Sequence, residues 1–181
     1  MAGKRLSDKM EKALNAQLTR EAFQAQVYLA FGVWAETNHF TGVAEFLYNH
    51  ATEERNHMFK FLKYIASRGG TPVIAAIDAP GEEPSGLGDC LNRTMQHEIE
   101  NSASIDDLVN LAHDEKDWAT FNFAQWFVKE QIEEETLVQD LLDKYNLASR
   151  QTGDNTNLYG FDRDVAGHAQ DAPLPREETL G

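Results

Sequence analysis

The chain has 181 residues, long enough for one domain with a sizeable core, and its 30 acidic and 16 basic residues give a formal net charge of -14. Because so acidic a surface repels nucleic acid and anionic lipid, we expect no nucleic-acid partner and no membrane partner. The single cysteine excludes an internal disulfide and a Cys-x-x-Cys site, and no apolar run reaches signal or membrane length, so we expect a cytoplasmic protein.

The first part of the chain is predicted to form two antiparallel helices. Apolar residues recur at heptad spacing after Ser7, the predicted N-cap, as far as a turn at residues 38–42. Thr41 is the next predicted N-cap, and the second helix runs to Arg68, where two glycines and then Pro72 indicate a stop. Because the turn is short, the second helix returns beside the first.

A long connection and two further helices follow. Residues 71–85 are rich in proline and glycine and are numerous enough to span the length of a helical bundle. Helical spacing resumes at residues 87–113 and, after a tight turn, continues in a fourth helix to about residue 148. The connection is therefore interpreted as a crossover between two helix pairs.

These elements predict an all-α fold: a four-helix bundle with a long crossover between helices 2 and 3, plus a short C-terminal fifth helix. The fifth helix is expected at residues 157–166, after a loop. We expect residues 1–166 to form one domain, and residues 167–181, which lack periodicity, to form a mobile tail.

Polar residues interrupt the apolar seams of all four long helices. In the second helix, Glu54 and His57 share a face with Leu47 and Phe61. The residues of this kind are Glu21, Glu54, His57, Glu98, Gln131 and Glu134. Counting about 1.5 Å per residue from the two turns places all of them near mid-bundle, in one layer. Facing carboxylates raise one another's pKa unless cations compensate, so this layer predicts a dinuclear site for iron, manganese or zinc.

Two sequence blocks carry a resemblance to a known family. The residues concerned are Glu21, Tyr28, Glu98, the Glu-Glu-x-x-His block at residues 53–57 and the Glu-Gln-x-Glu-Glu-Glu block at residues 130–135. Over about residues 6–165 the chain resembles the non-haem bacterial ferritins. The resemblance implies a ferritin-like bundle that oxidises ferrous iron with dioxygen or peroxide. It also implies a homo-oligomeric shell of 24 subunits that stores a ferric mineral.

The resemblance further implies where iron binds. The ligands implied for a first iron are Glu21, Glu54 and His57. Those implied for a second are the bridging Glu54 with Glu98 and Glu134, and Gln131 lines the centre. A third position would use Glu53, Glu130 and Glu133, whose alternative role is a solvated acidic face.

Two aromatic residues beside the implied centre have alternative roles. Tyr28 and Trp126 would supply a further electron, or would simply pack as aromatic side chains. No haem is expected, because Arg55 occupies the position of the haem-ligand methionine and the fourth helix lacks a second Glu-x-x-His. Two other functions stay open: a ferritin-like protein that consumes peroxide with little mineral storage, and a non-catalytic bundle that only forms an assembly.

Overall fold

Five α-helices make up the computed structural model, which describes residues 3–149 and 156–171. They are α1 Asp8–Thr37, α2 Thr41–Ser67, α3 Leu87–Asp114, α4 Trp118–Ser149 and α5 Thr156–Asp171. The described residues contain no β-strand, which confirms the all-α prediction. Nor does this part of the chain include a helix long and apolar enough to cross a membrane.

The helices pack as a bundle of two pairs. α1 packs against α2 and α3 against α4, while α1 also contacts α3, and α5 contacts both α2 and α4. Between Ser67 and Leu87 the chain has no helix or strand, and this segment forms the predicted long connection. The predicted four-helix bundle with a crossover and a short fifth helix is therefore confirmed.

Two apolar clusters fill the bundle on either side of a polar layer. Along α2, Leu47 belongs to the first cluster and Phe61 to the second, with Glu54 between them. Along α3, Leu91 and Ile105 occupy the two clusters in the same way. Each fully buried apolar side chain of this size stabilises the fold by about 1.5–3 kcal/mol, which offsets the cost of the polar layer.

Of the two N-caps predicted from sequence, one is confirmed and the other is wrong. Ser7 caps α1, because the backbone N–H of Met10 donates to Ser7 Oγ over 2.9 Å. The prediction for Thr41 is wrong: α2 has Phe40 at its N-cap position and no capping hydrogen bond from that residue's side chain. The first amides of α2 therefore need an acceptor from elsewhere in the chain.

A carboxylate from α5 supplies that acceptor. Asp162, which is buried, accepts hydrogen bonds from the backbone N–H of Gly42 over 3.1 Å and of Val43 over 3.0 Å. The approach requires glycine, since a Cβ at Gly42 would lie 1.9 Å from the backbone oxygen of Asp162. The negative charge also interacts favourably with the helix dipole. The C-terminal helix is thus anchored to the start of α2.

We expect Asp162→Ala to lower the free energy of unfolding by about 1–2 kcal/mol, because two buried amides lose their acceptor. Denaturant unfolding followed by circular dichroism measures this change. Asp164→Ala is the matched control, since the Asp164 side chain lies on the same helix and is 68% exposed. Equal stability of the two variants would contradict the capping role.

α5 is longer than the predicted fifth helix, because it runs to Asp171 instead of ending at residue 166. Its apolar side chains Phe161 and Val165 are buried, and this packing outweighs the low helix propensity of Gly160 and Gly167. The predicted loop residues 153–155 and the last part of the predicted tail, residues 172–181, lie outside the described residues. The mobile tail therefore stays a prediction.

Candidate metal centre

The polar residues predicted in the helix seams lie together in one buried layer. Each of the four long helices contributes to it, since each seam carries its polar residue near mid-length. None is more than 6% exposed: Glu21, Glu54, His57, Glu98, Gln131 and Glu134. Heptad spacing therefore located the layer, although it did not give the contacts within it.

Glu21, Glu54 and His57 form a compact group of ligand atoms. One atom from each lies within 4.8 Å of the others. His57 Nδ1 is 3.3 Å from Glu54 Oε2 and 4.0 Å from Glu21 Oε2. Glu21 Oε2 is buried and lacks a hydrogen-bond partner among the described residues. Such an unpaired oxygen costs about 1–3 kcal/mol or more, and a cation shared with His57 and Glu54 would satisfy it.

Burial strongly perturbs the carboxyl groups of this layer. Burial and the charge of Glu54 raise the pKa of Glu21 well above its ordinary value. Burial and the charge of Glu98 do the same to the pKa of Glu54. For Glu98, burial and the charge of Glu134 raise the pKa to about 7. In the metal-free protein these groups therefore hold protons more tightly than exposed carboxyl groups do, and a bound cation would displace those protons.

Side chains from α1 and α4 hold Glu98 in position. Tyr28 Oη donates to Glu98 Oε1, Gln24 Nε2 donates to the same oxygen over 2.9 Å, and Gln131 Nε2 donates to Glu98 Oε2 over 3.1 Å. Gln24 Nε2 also lies 3.1 Å from Glu54 Oε1. A single amide thus joins the predicted bridging carboxylate to Glu98, and the predicted Tyr28 and Gln131 both touch the centre.

Glu134 is directed toward a histidine that was not among the predicted ligands. Its Oε2 lies 2.9 Å from His50 Nε2, and Glu53 completes a group of ligand atoms within 4.8 Å. Burial alone would raise the pKa of Glu134, but the hydrogen bond and charge of His50 outweigh it and lower this pKa. Glu54, Glu98 and Glu134 are not a comparably close group among the described residues. The ligand set of the second iron stays a prediction.

Two of the three residues predicted for a third iron position come together. Glu53 and Glu130 form a group of ligand atoms with His57, whose Nε2 lies 3.8 Å from Glu130 Oε1. The Glu133 side chain is 63% exposed and pairs with Lys129 over 3.3 Å. The structure therefore brings His57 to this group and leaves Glu133 at the surface.

Two glutamines that support the centre were missed by the sequence analysis. Gln17 Nε2 donates to Glu21 Oε1 and to Asn101 Oδ1, both over 2.7 Å. Gln24 is buried at a point where a strict heptad count favours Ala25, because an α-helix turns every 3.6 residues or so. Both glutamines could have been predicted from their spacing, because residues three and four positions from Glu21 lie on the same face of the helix.

Trp126 borders the centre from its solvent-facing side. The indole is 36% exposed, and its centroid lies 5.5 Å from that of the His57 ring. Lys60 Nζ lies over the indole, 3.1 Å from a ring centroid. A cation on the ring face disfavours removal of an electron from the indole, so this contact favours Tyr28 over Trp126 as the predicted electron source.

The sequence is similar to known proteins over most of its length. The model of the ferritin-like domain family matches residues 11–148. A probable bacterial non-heme ferritin-like protein of Haemophilus influenzae is 38% identical over 160 residues, which cover 88% of this chain and 95% of the relative. A bacterial non-heme ferritin of Escherichia coli O157:H7 is 34% identical over 161 residues, which cover 89% of this chain and 96% of that protein.

The fold is also similar to that of a solved ferritin. The open-pore ferritin of the hyperthermophilic archaeon Archaeoglobus fulgidus matches with a TM-score of 0.85 and 30% sequence identity. The match covers 89% of this chain and 98% of the archaeal chain. The sequence matches and the structural match cover nearly the same part of the chain. The chain therefore belongs to the ferritin family.

Proposed function

We propose that this protein stores iron and is a ferroxidase that oxidises ferrous iron with dioxygen or peroxide at a dinuclear centre within each subunit. The observation that carries the proposal is the buried group of Glu21, Glu54 and His57, in which one carboxylate oxygen has no partner among the described residues. The ferritin relatives support iron storage as the purpose. The ferric mineral would fill a hollow shell of 24 subunits in the cytoplasm.

The donor atoms suit two iron ions that share one carboxylate. Glu54 contacts His57 directly and is linked to Glu98 through Gln24, so it lies between the two predicted positions. A bridging carboxylate would hold two ferrous ions close enough to react with one dioxygen molecule. Each ion supplies one electron, and dioxygen with two protons leaves as hydrogen peroxide. If peroxide is the oxidant, the same two electrons and two protons yield two water molecules.

Crystals soaked with a ferrous salt in the absence of oxygen test this proposal. We expect one ion bound by Glu21, Glu54 and His57, and a second bound by Glu54 and Glu98. Admission of air to the same protein in solution should produce ferric absorbance. Iron retained per subunit, compared with peroxide consumed, then separates storage from simple peroxide removal. Crystals without iron at Glu54, or a protein that leaves ferrous iron unoxidised, would refute the proposal.

We expect Tyr28→Phe to slow ferrous oxidation by about tenfold, because Glu98 loses a hydrogen-bond donor that orients it. Stopped-flow measurement of ferric absorbance gives the rate, and electron paramagnetic resonance shows whether a tyrosyl radical of the wild type is lost.

Tyr48→Phe is the control for this variant, because the Tyr48 hydroxyl also donates to a carboxylate, Glu36 Oε2, over 2.6 Å, but at the surface. If both variants oxidise iron at the wild-type rate, Tyr28 only packs in the core.

A further inference from the structure

The side-chain amide of Gln24 lies between two of the predicted iron ligands. Gln24 is buried on α1, one helical turn after Glu21. Its Nε2 lies 3.1 Å from Glu54 Oε1, 2.9 Å from Glu98 Oε1 and 3.0 Å from Tyr28 Oη. A single buried NH₂ group therefore donates to both carboxylates that are expected to share the second iron.

The two predicted iron positions differ in how readily a cation can reach their oxygens. At the first position, Glu21 Oε2 is buried and has no hydrogen-bond partner among the described residues. At the second, Glu54 Oε1 and both carboxyl oxygens of Glu98 accept hydrogen bonds from neighbouring side chains. Hydrogen-bond donors and cations compete for the same lone pairs of a carboxylate. The first position can therefore take up an ion directly, whereas the second must first lose hydrogen bonds.

A metal ion and the Gln24 amide cannot share the space between Glu54 and Glu98. An ion about 2.1 Å from both Oε1 atoms, on the side from which the amide donates, would lie within about 2 Å of Gln24 Nε2. The amide can leave this space, because three rotatable side-chain bonds carry it and no backbone change is needed. It is also not fully matched, since its two hydrogens face three oxygens.

We propose that the Gln24 amide takes the place of the second metal ion in the metal-free protein and must be displaced before that ion binds. The inference rests on the function proposed above. An ion at Glu21, Glu54 and His57 draws negative charge from Glu54, which weakens the hydrogen bond from Gln24 because bonds to ionised acceptors are the stronger ones. The second ion then replaces the amide between Glu54 and Glu98. Gln24 acts through these carboxylates, so it is a positioning residue that makes the second position fill last.

Wild-type crystals soaked at increasing Zn²⁺ concentrations test the inference, since Zn²⁺ has no redox chemistry. At low concentration we expect zinc at Glu21, Glu54 and His57, with the Gln24 amide still between Glu54 and Glu98. At saturation a second zinc should lie between these two carboxylates, and Gln24 Nε2 should have left both Oε1 atoms. A second zinc beside an unmoved amide, or a second position that fills first, overturns the inference and leaves the proposed function intact. Crystals without zinc at either position overturn both.

Calorimetric titration with Zn²⁺ gives an independent measurement in solution. In Gln24→Ala the Kd of the second ion, divided by that of the first, should fall by about tenfold, which is the contribution of one hydrogen bond to a charged group. Gln26→Ala is the matched control and should keep the wild-type ratio, because Gln26 lies on the same helix but is exposed. Circular dichroism and gel filtration verify that both variants fold and assemble. An unchanged or larger ratio in a folded Gln24→Ala protein overturns the inference, since Gln24 would then only orient the carboxylates.

Discussion

Replacing Glu54 by alanine is expected to reduce the initial rate of ferrous oxidation by about 100-fold or more. Removal of a group that merely orients a metal ligand costs about 10–100-fold, and Glu54 is the predicted bridge between both iron positions. Its side chain contacts His57 on one side and Gln24 on the other, so its removal disrupts both sides of the layer. Stopped-flow absorbance after mixing with ferrous iron in air measures the rate.

Glu45→Ala is the matched control for Glu54→Ala. Glu45 lies on the same helix and is exposed, so its removal changes the net charge equally without touching the buried layer. The metal-free Glu54 variant should fold, because burial of this carboxyl group is itself unfavourable. Wild-type oxidation by a folded Glu54→Ala protein would mean that the predicted centre around Glu54 does not catalyse the reaction.

Raising the pH from about 5 to 8 is expected to destabilise the metal-free protein. The pKa of Glu98 is about 7 in the folded state and near its ordinary value of 4.5 in the unfolded state, so the folded chain binds the proton more tightly. The resulting stability is present below pH 4.5 or so and is lost as pH rises through 7. Glu98 alone accounts for roughly 3 kcal/mol per subunit, and the raised pKa values of Glu21 and Glu54 act in the same direction.

Other groups of the layer do not reverse this trend. Burial alone would lower the pKa of His50 and His57, but neighbouring carboxylates raise both, so their contribution is also lost with rising pH. The lowered pKa of Glu134 has the opposite sign, but its contribution changes only below about pH 4.5.

Guanidinium unfolding at pH 5 and pH 8 measures the effect, with and without Zn²⁺. Glu98→Gln should flatten the pH dependence, and saturating Zn²⁺ should restore stability at pH 8 because the metal takes the place of the lost protons. Greater stability of the metal-free protein at pH 8 than at pH 5 would show that the buried carboxyl groups are ionised without a cation.

The seams of α2, α3 and α4 could be predicted from sequence because their core residues repeat at regular spacing. Leu47, Glu54 and Phe61 are seven residues apart and are all buried. The same regularity located Glu98 and Glu134 in the layer with Glu54. The spacing of residues predicts how far along the bundle axis a side chain lies and which face of the helix carries it. These two properties place the side chain in the layer.

The contacts within the layer could not be predicted, because they depend on side-chain rotamers and on neighbours distant in sequence. His50 belongs to the α2 seam by spacing, yet its pairing with Glu134 follows from the way α4 packs against α2. Gln24 was missed because it lies one residue from the heptad position. Local rules also favoured Thr41 as a cap, whereas Asp162, far along the chain, provides the acceptor.

The hydrogen bonds from Gly42 and Val43 to Asp162 limit where this chain can be shortened or extended. A chain shortened before residue 162 would leave the first amides of α2 without their acceptor, about 18 Å along the helix from Glu54. Truncation would therefore reduce the rigidity of the helix that carries Glu54 and His57. Peptides or fluorescent proteins should be fused after Asp171, so that the whole of α5 is retained.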